Sequence, residues 1–305
     1  MRRIKNILVC LDLSEMDDFL INYSNYIIRT FKPETMVFIH VMEVYSLPDE
    51  FAGSFDGTEG DLKDMVREEL YEKIRNGISE NGDTRISLII ETGLTAEKLL
   101  QYIRKNKVDI TILGKKIGYH GEGSVARRIV GLVPSSVLVI SETSREEINK
   151  ILVRMDFSSM SASTLDMARE IAGYTGAMIE FHHVYKLPLY YYPRQTPENI
   201  KKMNAQLAEL VAEEYSKFIK KMKIKEPPPV TYSLETQIDE SQLLCDHARR
   251  NGFDLILTGT RIKSSLGGLI LDKTSEKLVG SDQNIPVMVV KDPKQSAGIL
   301  KAIFD

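Results

Sequence analysis

The chain has 305 residues, of which 43% are hydrophobic and 27% charged, with a net charge of -3 and a pI near 6.1. That balance excludes a global electrostatic drive toward nucleic acid, and two cysteines, Cys10 and Cys245, exclude a disulfide framework and a cysteine-rich metal site. No run approaches the roughly 18 apolar residues of a membrane span, and the apolar run after Met1-Arg2-Arg3 is cut at Asp12, too short for a signal peptide, so a cytoplasmic protein of about two domains is expected.

Residues 4–13 read as a strand entered by a basic step and ending at Asp12. Ser14 and Glu15 predict the start of a helix over 16–31, with Phe19, Leu20, Tyr23, Tyr26 and Ile27 at helical spacing. Met36 to Val41 is a second buried strand, and Ser46 to Asp61 a polar, Gly-rich loop. A charged helix follows over 62–80, then a strand from Arg85 to Glu91, then a helix over 96–106 capped by Thr95. Asp109 to Leu113 is a fourth strand, a helix covers 124–132, and Ser136 to Ile140 is a fifth strand.

The same order then recurs. Asp156 lies 144 residues after Asp12, and Phe181-His182-His183-Val184 follows Phe38-Ile39-His40-Val41 by 143. Leu234-Glu235 follows Ile90-Glu91 by 144, Asp254 to Gly259 follows Asp109 to Gly114 by 145, and Pro286 to Val290 follows Ser136 to Ile140 by 150. Offsets this regular indicate a tandem duplication, with the second copy longer only around the glycine loop and its helix. Apolar runs alternating with helices predict parallel sheets covered on both faces. The fold class is therefore α/β, two tandem doubly wound domains of Rossmann-like type, over 1–145 and 146–305. In such sheets ligands bind at the carboxyl ends of the strands, where the strand order reverses. Asp12, His40-Val41 and Gly114 fall at such ends, as do Asp156, His183-Val184 and Gly259.

One stretch carries the ingredients of an anion site. Gly114, Gly118, Gly121 and Gly123 lie within ten residues, with Lys115 and Lys116, and Ser124 opens the next helix. Glycines let backbone amides approach an anion, and a helix N-terminus offers unpaired N–H groups. The other reading is a Gly-rich turn with solvated lysines and an ordinary Ser124 cap.

Taken together, the strand ending in Asp, the strand ending in His-Val, the Asp-Ile/Leu strand ending in Gly and the closing apolar strand, each present twice, resemble the universal stress protein family in its tandem form. The resemblance covers nearly the whole chain. It implies a fold related to the adenine nucleotide alpha hydrolases and a stress-response regulatory role. In nucleotide-binding members of the family, the fourth strand runs into Gly-x-x-Gly, nine residues, then Gly-Ser/Thr, a loop that holds phosphates. The Asp ending the first strand and the Val after the second flank adenine and ribose. The resemblance thus implies Asp12, Val41, Gly114, Lys115, Gly121, Gly123 and Ser124 as nucleotide contacts in the first half, and Asp156, Val184 and Gly259 in the second, with ATP, ADP or AMP as ligand. Both copies depart from the pattern. The first loop is four residues short, with Ile117 at the second glycine. The second has full length but carries Ile262, Asp272 and Lys273 where glycine, glycine and a hydroxyl residue belong. A carboxylate at a helix start repels an anion and competes for its amides. An interaction scaffold with degenerate pockets and no nucleotide is the alternative reading.

The remaining candidates are expected to be structural. His40, His182 and His183 have no Cys, Asp or Glu at ligand spacing, so no metal is expected. His247 reads as a surface residue, His120 as a loop residue, and Cys10 as a buried, inert thiol. Without an identifiable base or nucleophile no catalytic activity is expected. Tyr190-Tyr191-Tyr192 either stack a ligand or partner or pack back as a lid, and the lysines of 217–225 form a solvated face before Pro227. As partners the family implies a pseudo-dimer of the two halves through Ser136–Ile140 and Pro286–Val290, and a homodimer or another protein, with no nucleic acid and no membrane.

Overall fold

A computed structural model describes residues 4–43, 59–79, 82–116, 125–186, 196–235, 237–260, 271–281 and 284–291. The described residues form two compact units that divide between Glu146 and Glu147. The first contains β1 (Asn6–Leu11), α1 (Met16–Phe31), β2 (Thr35–Met42), α2 (Glu59–Gly77), β3 (Arg85–Thr92), α3 (Thr95–Asn106), β4 (Ile110–Lys115), α4 (Val125–Leu132) and β5 (Ser136–Ser141). Its strands lie in the order β3-β2-β1-β4-β5 and pair in parallel throughout.

The second unit contains β6 (Lys150–Met155), α5 (Ser159–Thr175), β7 (Met178–Lys186), α6 (Pro197–Met222), β8 (Val230–Glu235), α7 (Glu240–Arg250), β9 (Leu255–Gly259), α8 (Lys273–Gly280) and β10 (Val287–Val290). Its order is β8-β7-β6-β9-β10, again all parallel. The sheet order of the first half is therefore written a second time, as the offsets predict.

The strands form where the apolar runs predict. Every residue of β5 is buried, and so is every residue of β2 after Thr35, which suits parallel strands covered by helices. In the first half α1 packs on α2 and α3 packs on α4, while α1 also meets β1, β4 and β5. The apolar stripe of α1 is Leu20, Tyr23 and Ile27, all buried, whereas Phe19 stays exposed. The helix stops at Lys32, which takes a left-handed φ of 46° and returns its N–H to the Ile28 carbonyl.

Two devices recur in both halves. Asp109 accepts the N–H groups of Lys5 and Asn6 at 3.0 Å each, tying the start of β1 to the start of β4. Asp254 does the same for Asn149 and Lys150 at 2.8 and 3.0 Å. The second device is the glycine near the end of the fourth strand. A Cβ on Gly114 would lie 2.3 Å from Met16 Cγ, and one on Gly259 would lie 2.6 Å from Thr164 Oγ1 and 3.2 Å from Met160 Cβ. The first helix of each half thus crosses its fourth strand too closely for any side chain.

Thr95 is the first helical residue of α3 and does not cap it. Its N–H and hydroxyl both donate to Glu43 Oε1, at 3.3 and 2.7 Å. A carboxylate from beyond β2 does the capping, which no local pattern announces.

Gly114→Ala is expected to cost about 1–3 kcal/mol, the usual range for overpacking, because Met16 must move. Urea unfolding of the full chain measures it, and an unchanged midpoint would contradict the close crossing.

Candidate functional site

Within the first half β1 lies between β2 and β4, so the connections that follow β1 and β4 lead away to opposite sides. The carboxyl ends part there and leave a crevice. A cleft of about 530 Å³ occupies it, and Asp12, Val41 and Gly114 all line it. His40, Glu43 and Thr95 add polar atoms, and Leu11, Met16, Leu99 and Ile129 make the walls largely apolar. Lys115, half-buried at the end of β4, does not line the cleft. Gly121, Gly123 and Ser124 lie outside the described residues, as do His120 and Tyr190–Tyr192.

The chain enters this cleft through a strained turn. Leu13 has a φ of 61°, and Phe157, 144 residues later, has a φ of 56°. Non-glycine residues seldom adopt that conformation unless neighbours hold it. In the first half the holder is Asp17, fully buried in the first turn of α1. Its carboxylate accepts the N–H groups of Asp12 and Leu13, both at 2.9 Å. Asp12 accepts the Ser14 N–H at 3.1 Å, and Ser14 Oγ accepts the Met16 N–H at 3.2 Å. In the second half Ser161 stands at the position of Asp17. Its hydroxyl accepts the Asp156 N–H at 3.0 Å and donates to Asp156 Oδ1 at 2.7 Å. The same Oδ1 accepts the Ser158 N–H at 3.0 Å and the Ser158 hydroxyl. Asp156 is therefore occupied as a clasp of its own loop.

The strand-end histidines are bonded across the sheet. His40 Nδ1 donates to the Leu11 carbonyl at 3.0 Å, and His183 Nδ1 to the Met155 carbonyl at 2.8 Å. Each ring is thereby fixed beside its cleft. Cys10 departs from the sequence reading: it is half-buried and lines the first cleft. Desolvation raises its thiol pKa and keeps it protonated.

The second half has a cleft of about 650 Å³ in the corresponding place, lined by Asp156, Val184, Arg154, His183, Lys217 and Glu240 among others. Gly259 does not line it. Its chemistry differs from the first. Arg154, 144 residues after Cys10, donates to Glu240 Oε1 and Oε2 at 2.6 and 3.1 Å and to Asp272 Oδ1 at 2.9 Å. Asp272 caps α8, accepting the N–H groups of Thr274 and Ser275 at 3.1 and 3.2 Å. The amides at the start of α8 already hold a carboxylate, and the neighbouring arginine neutralises it. Neither Arg154 nor Glu240 stood out in the sequence, because Arg154 sits inside an otherwise apolar strand and its partners lie 86 and 118 residues away.

The spacing of the histidines also hid a third cluster. His247, read from sequence as a surface residue, is half-buried with a side chain 19% exposed, and its Nε2 lies 2.8 Å from Glu180 Oε1. His182 stacks on it with ring centroids 4.0 Å apart. Among the described residues no helix is long and apolar enough to cross a membrane.

Two outcomes are expected from these contacts. Burial pushes the Asp17 carboxyl up to about 6, against the pull of the two N–H groups and with a push from Asp12. The native state therefore binds this proton more tightly than the unfolded chain, whose carboxyl keeps the ordinary value near 3.8. The Asp17 contribution costs most above pH 6 and disappears as the pH falls toward 4, a difference of about 3 kcal/mol. Relative to Asp17→Asn, the wild-type chain should gain stability between pH 7 and 4 in urea unfolding; parallel profiles would contradict this. Separately, Arg154→Ala leaves two carboxylates without their cation and should cost about 3 kcal/mol. A midpoint within error of wild type would show that the triad is not coupled.

Comparison with known proteins agrees with this architecture. The model of the universal stress protein family matches residues 3–141 and again 147–291. A universal stress protein from Archaeoglobus fulgidus superposes with a TM-score of 0.62 at 16% identity, covering 95% of this chain and 99% of that one. A functionally unknown protein from Pseudomonas aeruginosa PAO1 superposes with a TM-score of 0.62 at 14% identity, covering 98% and 97%. At these identities the likeness is one of fold. No curated protein matches the sequence. With two matches that together span most of its length, the chain belongs to the universal stress protein family, as a member with two such domains in tandem.

Proposed function

We propose that this chain is a stress-response regulatory protein that binds one adenine nucleotide, in the cleft of its first half. Family membership supports the stress-response role. The observation that carries the nucleotide reading is the convergence of Asp12, Val41 and Gly114 on one largely apolar cleft at the reversal of strand order. Apolar walls suit a flat base. The Asp12 carboxylate suits a ribose hydroxyl, which it accepts as a hydrogen bond. Gly121, Gly123 and Ser124 belong to the proposal as the phosphate-holding part, by resemblance to nucleotide-binding members.

The second half takes no nucleotide in this reading. Asp272 covers the α8 amides and Arg154 is already engaged by two carboxylates. An incoming phosphate would have to displace a paired, mostly buried carboxylate. Asp156, Val184 and Gly259 then serve the fold of that half. The competing reading is a scaffold that acts through protein partners with both clefts empty of nucleotide.

Calorimetry on the full chain with ATP, ADP and AMP separates the two. One nucleotide per chain is expected, with Asp12→Ala weakening it by about tenfold, the worth of one hydrogen bond to a charged group. No heat with any of the three would favour the scaffold, and two nucleotides per chain would contradict the closure of the second cleft.

A further inference from the structure

Successive residues of β7 point to opposite faces of the sheet. Phe181 and His183 face one way, with His183 4.6 Å from the ring of Phe157. Glu180 and His182 face the other way, toward α7, where His247 stacks on His182 at a centroid distance of 4.0 Å and an interplanar angle of 26°. Three side chains from two elements thus bring one carboxylate and two imidazoles together, with one ligand atom of each within 4.8 Å of the others.

Their three candidate ligand atoms converge on a single hydroxyl, with His182 Nδ1 donating to it and His247 Nε2 donating to Glu180. Thr231 Oγ1 donates to Glu180 Oε1 at 2.6 Å and lies 2.8 Å from His182 Nδ1 and 3.4 Å from His247 Nε2. On the far side of the ring, His182 Nε2 lies 3.0 Å from Ser233 Oγ. His182 is 1% exposed, while the side chains of Glu180 and His247 are 23% and 19% exposed and form the open rim.

The fold does not require these residues. The duplication supplies an internal control, because at the matching offsets the first half carries Val37, Ile39 and Tyr102 in place of Glu180, His182 and His247. The same strand and helix therefore pack in the first half with an aliphatic pair and one tyrosine. Burying a carboxylate and two imidazoles instead costs desolvation, so the polar set calls for a role beyond packing.

We propose that Glu180, His182 and His247 form a binding site for one divalent transition cation of the zinc, cobalt or nickel type. Two imidazole nitrogens and one carboxylate oxygen are the donor set such ions take, whereas magnesium and calcium favour oxygen alone. Ligand atoms around a tetrahedral zinc stand about 3.4 Å apart, given bond lengths of about 2.1 Å, so the distances need little closure, while the two rings, stacked at 26°, must turn their nitrogens toward one point. Thr231 Oγ1, which sits among the three ligand atoms, swings out to make room for the ion. With Nδ1 of His182 and Nε2 of His247 given to the metal, each ring's proton moves to its other nitrogen, that of His182 then being donated from Nε2 to Ser233, which fixes the tautomer as outer-shell partners do. The site lies on the α7 face of the sheet and is independent of the nucleotide reading.

The test uses the full chain, untagged and stripped by chelator, titrated with Co2+ and followed by visible absorption, with Zn2+ added in competition. One Co2+ per chain is expected, displaced by Zn2+. Glu180→Gln and His247→Gln, both at the rim, should each weaken binding by more than the ~10–100-fold that outer-shell partners carry. The triple variant Glu180→Val, His182→Ile, His247→Tyr, which installs the residues of the first half, should lose the ion. His40→Gln and His183→Gln should keep it. Circular dichroism checks that each variant is folded; if the triple variant is not, the two rim variants decide. No binding of either cation by the wild-type chain, or binding undiminished in the folded variants, would overturn the proposal.

Discussion

In each half the chain leaves its first strand through one residue held in a left-handed conformation, Leu13 in one and Phe157 in the other. Everything at the cleft follows from that turn. It aims Asp12 and Asp156 at the crevice and starts the first helix at an angle that carries it across the fourth strand. Only a glycine fits beneath the crossing, and Gly114 and Gly259 provide it. The turn is held from the helix side, by the Asp17 carboxylate in the first half and by the Ser161 hydroxyl in the second. An anionic clasp and a neutral clasp thus perform one task, and the anionic one leaves the first half sensitive to pH.

On this shared frame the two halves have become chemically different. The first cleft is walled by apolar side chains with Asp12 and Glu43 among its polar groups. The second is floored by Arg154 between Glu240 and Asp272, with 13%, 11% and 31% of the three side chains exposed. A buried ion triad of this kind contributes little net stability but is costly to open, because removing one partner strands the others. The result, among the described residues, is one cleft without such a triad and one that supplies its own anion. A tandem chain can carry such an asymmetry, whereas two identical chains paired by symmetry cannot.

Much of the frame was legible in the sequence. The duplication, the parallel order and the strand ends follow from apolar runs and constant offsets, and Asp272 at a helix start announces itself as a cap. Most of what stayed hidden depends on partners distant in the chain, and the Asp17 clasp depends on backbone N–H groups four and five residues away that no side-chain pattern marks. Asp17 looks like one of two acidic residues opening a helix, yet it is fully buried while Asp18 is exposed. Arg154 looks like an interruption in a strand until Glu240 and Asp272 are placed beside it. His247 looks like a surface histidine until β7 brings Glu180 and His182 beneath it. Thr95 has the composition of a cap, but Glu43 performs the capping from another element. Spacing reveals pairs on one helix or one strand, and these contacts lie on neither.

In the proposed function one half of the duplicated frame is open to an adenine nucleotide and the other is closed by its own carboxylate. The most direct measurement is photoaffinity labelling of the full chain with an azido-adenine nucleotide, followed by peptide mass spectrometry. Label is expected on peptides of the first cleft, around Asp12 and Val41, suppressed by unlabelled ATP. Label around Asp156 and Val184, suppressed in the same way, would contradict it.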